Sequence, residues 1–403
     1  MKFSKLSQLF LVSIIGLMVA TLVTSCAIVT IDYVFVASSS GSGTASAGQI
    51  ETYDADSETG ALRSGAATVP SGGVNPISMV TTANYANLYV VNQASNNVVH
   101  FSISGSGVLT KKDVLTTSAN PVWVAVNTAE TYLYVVSGPN PSVLTAYPLS
   151  SGVIGAAAAQ VTLTLPGYPA DTIVPTGVNV LANNNAVYVS AYDQSAYNPG
   201  GTTTSTANPG WVFGYIVGSG GALSPSSNSP YKAGVKPSAL ISDPTNRFVY
   251  VADFASNELI GYTIQGGSTL DFLINGPFKT GNEPNDIVID PRGIYVYVTN
   301  GLDSTVSAFE ISLATGTPSS VVNVTGSQVN STDTTPVALI VDPALGRFVY
   351  TANKLGNSIS GFVLNPTTGS LKGTLSGPYP TGDQPSALAA VPHGNHSIQT
   401  VSP

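Results

Sequence analysis

The sequence predicts an all-β fold, a seven-bladed β-propeller whose ring is closed by its C-terminal strand. Three observations predict it. A strand phrase centred on an aromatic residue recurs seven times, two further strands stand at steady offsets from each copy, and the units at the two chain ends are incomplete in complementary ways.

The recurring phrase reads "VFVASS" at Phe35, "LYVVNQ" at Tyr89, "LYVVSG" at Tyr134, "VYVSAY" at Tyr188, "VYVADF" at Tyr250, "VYVTNG" at Tyr297 and "VYTANK" at Tyr350. Successive anchors lie 54, 45, 54, 62, 47 and 53 residues apart. Before each full unit's anchor comes a proline-led apolar strand, as in "NPISMV", "NPVWVAV", "KPSALI" and "EPNDIVI". In later units a tight "DPTNRF", "DPRGIY" or "DPALGRF" turn joins the two. After the anchor comes a third strand, such as "ELIGYTI", "TVSAFEI" or "SISGFVL", and then a weaker fourth. Four short antiparallel strands per unit is the sequence form of a propeller blade. The first unit lacks its proline-led strand, and "QPSALAAV" near the C-terminus lacks partners. The C-terminal strand is therefore expected to complete the N-terminal blade, removing the open edges that invite aggregation.

Composition agrees. Forty glycines and 27 prolines among 403 residues suit a chain of many turns, and 19 tyrosines with abundant valine favour strands. The net charge is −8 and there is no basic patch, so nucleic acid is not an expected partner.

The chain opens with a targeting segment. Lys2 and Lys5 precede an apolar run from Leu9 to Val23, which ends in Val23-Thr24-Ser25-Cys26. This resembles a bacterial lipoprotein signal, cleaved before a cysteine that receives the lipid, and Cys26 is the chain's single cysteine. The alternative is an uncleaved anchor helix with an incidental cysteine. On the first reading residues 1–25 are removed and residues 26–403 form one propeller domain of net charge −10. It is held to the membrane at Cys26 in the bacterial cell envelope, periplasmic or at the cell surface; Ala27 is not Asp, which favours outer-membrane sorting in enteric bacteria alone and leaves inner against outer membrane open. Lipidation consumes the only thiol, which excludes disulfides and thiolate catalysis.

With the repeat in hand, a family resemblance can be stated. "YVTN" at Tyr297–Asn300, with "YVAD", "YTAN" and the proline-led strands, resembles YVTN-type repeats and the β-propeller lactonases related to 6-phosphogluconolactonase, in their bacterial lipoprotein form. The resemblance spans about residues 31 to 391. It implies the blade strongly and lactone hydrolysis only by analogy, because the repeat is a structural unit.

Strand order assigns the two faces of the disc. Loops preceding the first strand of each unit, and those between second and third strands, gather on one face. The "DP" turns at Asp243, Asp290 and Asp342 gather on the other, where Arg247, Arg292 and Arg347 are expected to pack along neighbouring blades. The first face is polar. It collects Glu283, Asn285, Asp286, Lys236, Asp253 and Asp303, with Asn and Asp also serving there as turn formers. Glu283 and Asp286, at the start of a channel strand, are the candidate catalytic carboxylates; Asn285, Asp253, Asp303, Lys236 and Tyr192 are candidate ligand contacts. The stretch 190–211 is an enlarged loop on this face, either functional or plainly flexible.

Other chemistry is missing from the sequence. His100 sits in a third strand as a scaffold residue, and His393 and His396 lack a third ligand, so no metal site is expected. No nucleophile elbow, phosphate loop or dinucleotide fingerprint occurs, so no cofactor is expected. A phosphorylated sugar lactone needs cations, yet the arginines lie on the face away from the acidic mouth. The leading expectation is a monomeric, lipid-anchored scaffold that binds a small molecule or a protein on its polar face. The alternative is a hydrolase of an uncharged or sugar lactone at the channel mouth.

Overall fold

The structure is a computed structural model that describes residues 29–39, 47–197, 209–323 and 325–393. Cys26 and the leader, the centre of the enlarged loop, and His396 with the C-terminal tail lie outside these residues.

Seven antiparallel sheets form seven blades around a central channel, as the repeat predicts. Blade 6 shows the pattern. Its inner strand Pro284–Ile289 pairs with Tyr295–Asn300, then Thr305–Ile311, then an outer strand in two pieces, Pro318–Ser320 and Val329–Ser331. The outer strand is split in this way in every blade but blade 2, where Leu109–Thr116 runs unbroken. Among the described residues there is no α-helix, and none long and apolar enough to cross a membrane.

The ring closes as expected. The C-terminal strand Ala387–Pro392 pairs with the first strand Thr30–Ser39, placing Ala389 opposite Phe35. Blade 1 is thus built from both chain ends, which makes opening the ring as costly as breaking a blade.

Each second strand is buried on both sides because each blade is covered by two neighbours; all six residues of Tyr295–Asn300 are buried. This explains the continuous apolar phrase. It also explains why the anchor is tyrosine rather than phenylalanine. The hydroxyl of Tyr297 donates to the Gly369 carbonyl, 2.9 Å away in the next blade. Tyr89 reaches Gly152, Tyr188 reaches Ser268, Tyr250 reaches Gly316, and Tyr350 reaches Gly60 across the closing seam. Each acceptor lies in the turn between third and fourth strands. Phe35 lacks the hydroxyl, and that of Tyr134 has no partner.

The "DP" turns behave as the sequence suggests. Asp290 accepts from the amides of Ile294 and Tyr295 and from Arg292 Nε, all at 2.7 Å. Asp243 and Asp342 make equivalent cages. Arg247 and Arg292 each donate onward to a carbonyl of the following blade, Leu313 and Pro366.

Candidate functional site

The polar face is organised by the start of each inner strand. The residue before the proline adopts a left-handed backbone in five blades: Asn75 (φ 59°), Asn120 (52°), Glu283 (54°), Thr335 (59°) and Gln384 (52°). In four of these its carbonyl accepts the amide that follows the second strand, from Gln93, Gly138, Gly301 and Lys354 respectively. In most blades the inner strand then bulges just after the proline, which turns the next side chain toward the neighbouring blade. There Ser238 Oγ donates to the Pro284 carbonyl at 2.6 Å, Ser386 Oγ to that of Pro76, and Asn285 Nδ2 to that of Pro336 at 3.3 Å. The channel mouth is thus stitched blade to blade.

Several candidate side chains are absorbed by this stitching. Asp253 is buried, and its carboxylate accepts the amides of Val235, Lys236 and Ala255. Asp286 is only 9% exposed. One oxygen accepts its neighbour's amide, Ile287, and the other accepts Leu339 from blade 7. Burial pushes its carboxyl up to about 7, against the opposing pull of those two amides. Asp303 holds both the amide and side chain of Asn282, which fastens the loop before the inner strand. The amides of the repeated phrase also point inward: Asn300 bonds Thr305 and Ser307, and Asn353 bonds Ser358 and Ser360.

Two charged candidates stay at the mouth. Lys236 and Glu283 occupy the same position, just before the proline, in adjacent blades 5 and 6. Among the described residues the Glu283 carboxylate makes no hydrogen bond or ion pair, while its own amide is held by Asn257 Oδ1 at 2.9 Å. The Lys236 ammonium stands over three rings, 4.6 Å from the centroid of Phe254, 5.3 Å from Tyr197 and 5.6 Å from Tyr192. The two tyrosines pack edge to face at 5.4 Å. Tyr192 is therefore joined to Lys236 through an aromatic cluster that takes in Tyr197 of the same loop and Phe254, the member that sequence reasoning missed. The signal for Phe254 was its place directly after the second strand of blade 5.

The enlarged loop is shorter than 190–211. The second strand runs to Asp193 and the third begins at Gly210, so Trp211 is a strand residue capped by Lys232 at 3.6 Å. His100 is buried between Asp113 and Asn87 and stacked on Tyr89, a scaffold role as expected. No group of three or more metal-ligating side chains occurs among the described residues.

A ring of seven four-stranded blades with its polar groups at one mouth is the architecture of the propeller lactonases. The profile of the family described as "Lactonase, 7-bladed beta-propeller" matches residues 21–125 and 103–398, and the chain belongs to that family. No curated protein matches it in sequence. Among solved structures it is similar to a putative 6-phosphogluconolactonase from Bacteroides uniformis, at 19% identity and TM-score 0.71, covering 90% of this chain and 100% of that one. It is equally similar to a periplasmic gluconolactonase from Pseudomonas aeruginosa, at 19% identity and TM-score 0.70, covering 89% and 99%. A hypothetical selenium-binding protein from Sulfolobus tokodaii shares the fold at 12% identity and TM-score 0.65, covering 94% and 97%. At these identities the likeness is one of fold.

Proposed function

We propose that this protein is a lipid-anchored envelope hydrolase of uncharged sugar lactones, working at the polar mouth where blades 4, 5 and 6 meet. The observation that carries the reading is that Lys236, set among Tyr192, Tyr197 and Phe254, and the unpartnered carboxylate of Glu283 hold the same position in adjacent blades. Aromatic rings offer a stacking surface for a sugar ring. A carboxylate that no protein donor occupies is available to take a proton from water. As water adds to the lactone carbonyl, Glu283 accepts its proton. The developing oxyanion is stabilised by the Lys236 ammonium, and the ring C–O bond then breaks as the proton passes to the leaving alkoxide. The product is the open hydroxy acid.

The family and the periplasmic gluconolactonase likeness support this substrate class. So does charge: the chain's four arginines, Arg63, Arg247, Arg292 and Arg347, are all at the opposite face, so a phosphorylated lactone would lack its usual forked partners here. The test is pH-stat hydrolysis of a panel of neutral and phosphorylated aldonolactones. Wild type is expected to prefer neutral lactones, and Glu283→Gln to lose about 100-fold or more in kcat/KM. Hydrolysis of none of the panel above the uncatalysed rate sinks the reading.

A binding-scaffold reading has one observation in its favour. Leu302 and Leu355 stand at matching positions of the blade 6 and 7 loops on the polar face, each 66% exposed. It would take over if lactones bind at the mouth without turnover.

A further inference from the structure

The path of the first strand fixes which face of the disc an anchor at Cys26 must serve. Strand Thr30–Ser39 starts on the "DP"-turn face and ends at the polar mouth, since Thr30 pairs with Asp56 at the head of a turn between third and fourth strands. The chain is pinned there even earlier: Ser57 donates its amide to the Val29 carbonyl at 2.9 Å. Cys26 lies only three residues before Val29, a reach of about 10 Å at full extension. The ten-residue strand behind it spans about 30 Å of disc. Three residues therefore cannot carry a lipid from this face around to the mouth.

We infer that the "DP"-turn face is the membrane-facing surface of the protein, lying against a phospholipid bilayer, and that the polar mouth opens away from it into the aqueous phase. This rests on the lipid-anchor reading of Cys26. Its occupant is the bilayer that receives the acyl chains, because the tether is too short to seat anything thicker than a few side chains between them. The face suits a headgroup layer. Arg247, Arg292, Arg347 and Arg63 lie on it in four successive blades, 5, 6, 7 and 1, the last being the blade that carries the tether. All but Arg292 are exposed. The exposed Glu58 and Glu310 and the half-buried Glu130 share this end, so the tether rather than net charge sets the orientation. The caged aspartates of the "DP" turns present no open carboxylates to the anionic surface. A soluble substrate then reaches the mouth without passing the lipid.

The test exploits the single cysteine, since lipidation leaves no other thiol. Lipidated protein carrying Glu58→Cys or Leu302→Cys is added to preformed phosphatidylethanolamine–phosphatidylglycerol vesicles. It is then labelled with a bulky polyethylene-glycol maleimide, alongside the same protein in detergent. Vesicle binding is expected to slow labelling at Glu58→Cys several-fold and to leave Leu302→Cys unchanged. Glu310→Cys and Leu355→Cys form a second pair on the same faces and guard against a misfolded variant. Equal slowing at both faces, or slowing at the leucine positions alone, overturns the orientation. Cys26→Ser protein that still cosediments with membranes overturns instead the anchor reading, and with it this inference.

Discussion

The two faces of the disc spend carboxylates in opposite ways. On the "DP"-turn face Asp243, Asp290 and Asp342 are buried and filled by the chain's own donors. At the polar mouth the half-buried Glu283 has no donor on its carboxylate among the described residues. Asp253 sharpens the contrast, since it sits at the mouth yet is caged like the "DP" aspartates. What separates scaffold from candidate chemistry is therefore whether the oxygens are already occupied. Proximity to the mouth is not enough.

The largest expected effect breaks a filled site. Asp290→Ala strands the buried amide of Tyr295, the half-buried amide of Ile294 and the Arg292 side chain, and is expected to cost about 3–5 kcal/mol of stability. Glu283→Ala is expected to stay within about 1 kcal/mol, since its half-buried side chain has no bonded partner to lose. Urea midpoints of the two variants measure both. A comparable loss at Glu283 would show that its carboxylate is structural, and the contrast between the faces would collapse.

A second test turns on the seam that closes the ring. Asp32 of blade 1 is fully buried beside Asp342 of blade 7, and neither of its oxygens has a hydrogen-bond donor in normal geometry. Burial and the Asp342 carboxylate push its carboxyl well above the usual range. Asp342 is filled by four amides, so the shared proton belongs to Asp32. A raised folded pKa means stability is fully present below the unfolded value, about 4, and is lost as pH rises toward the folded one. Asp32→Asn keeps a donor at every pH. Relative to it, wild type is expected to lose stability above about pH 4, with a slope of at most about 1.4 kcal/mol per unit. Aspartates with lowered values, Asp56 and Asp333, tilt both proteins alike and drop out of the difference. Parallel curves for the two proteins would refute the shared proton.

The blades, the ring closure and the two faces were legible in the sequence because each depends on a repeated spacing and on strand direction. Side-chain occupancy was not. Glu283 stands just before the inner strand and Asp286 three residues on within it, yet the bulge after Pro284 turns Asp286 into the blade 7 seam while the kink at Glu283 leaves its carboxylate without a donor. No periodicity encodes that bulge. The aromatic setting of Lys236 was half legible: Tyr192 and Tyr197 could be named in the enlarged loop, but Phe254 joins them only when loops of two blades meet. The tyrosine hydroxyls were hidden for a similar reason, since the repeat marks an aromatic and the partner carbonyl lies 60 to 80 residues downstream in most blades.

The same rule of occupancy makes a finer prediction within the repeat itself. Tyr297 and Tyr134 hold the same place in blades 6 and 3, and both are fully buried. The Tyr297 hydroxyl satisfies the Gly369 carbonyl, whereas that of Tyr134 faces no acceptor because the blade 4 turn it would meet, Ser219–Gly221, is wound into a short helical turn. Removing the first hydroxyl leaves a buried carbonyl short of its donor, so Tyr297→Phe is expected to cost about 1–2 kcal/mol. Removing the second relieves a buried polar group that has nothing to bond, so Tyr134→Phe is expected to be neutral or stabilising by up to about 1 kcal/mol. Thermal or urea unfolding of the pair against wild type separates the cases, and opposite signs at two equivalent positions are the result to look for. Equal losses at both would mean that the hydroxyl acts through packing alone, and that the blades are held together by their apolar faces without help from the tyrosine bond.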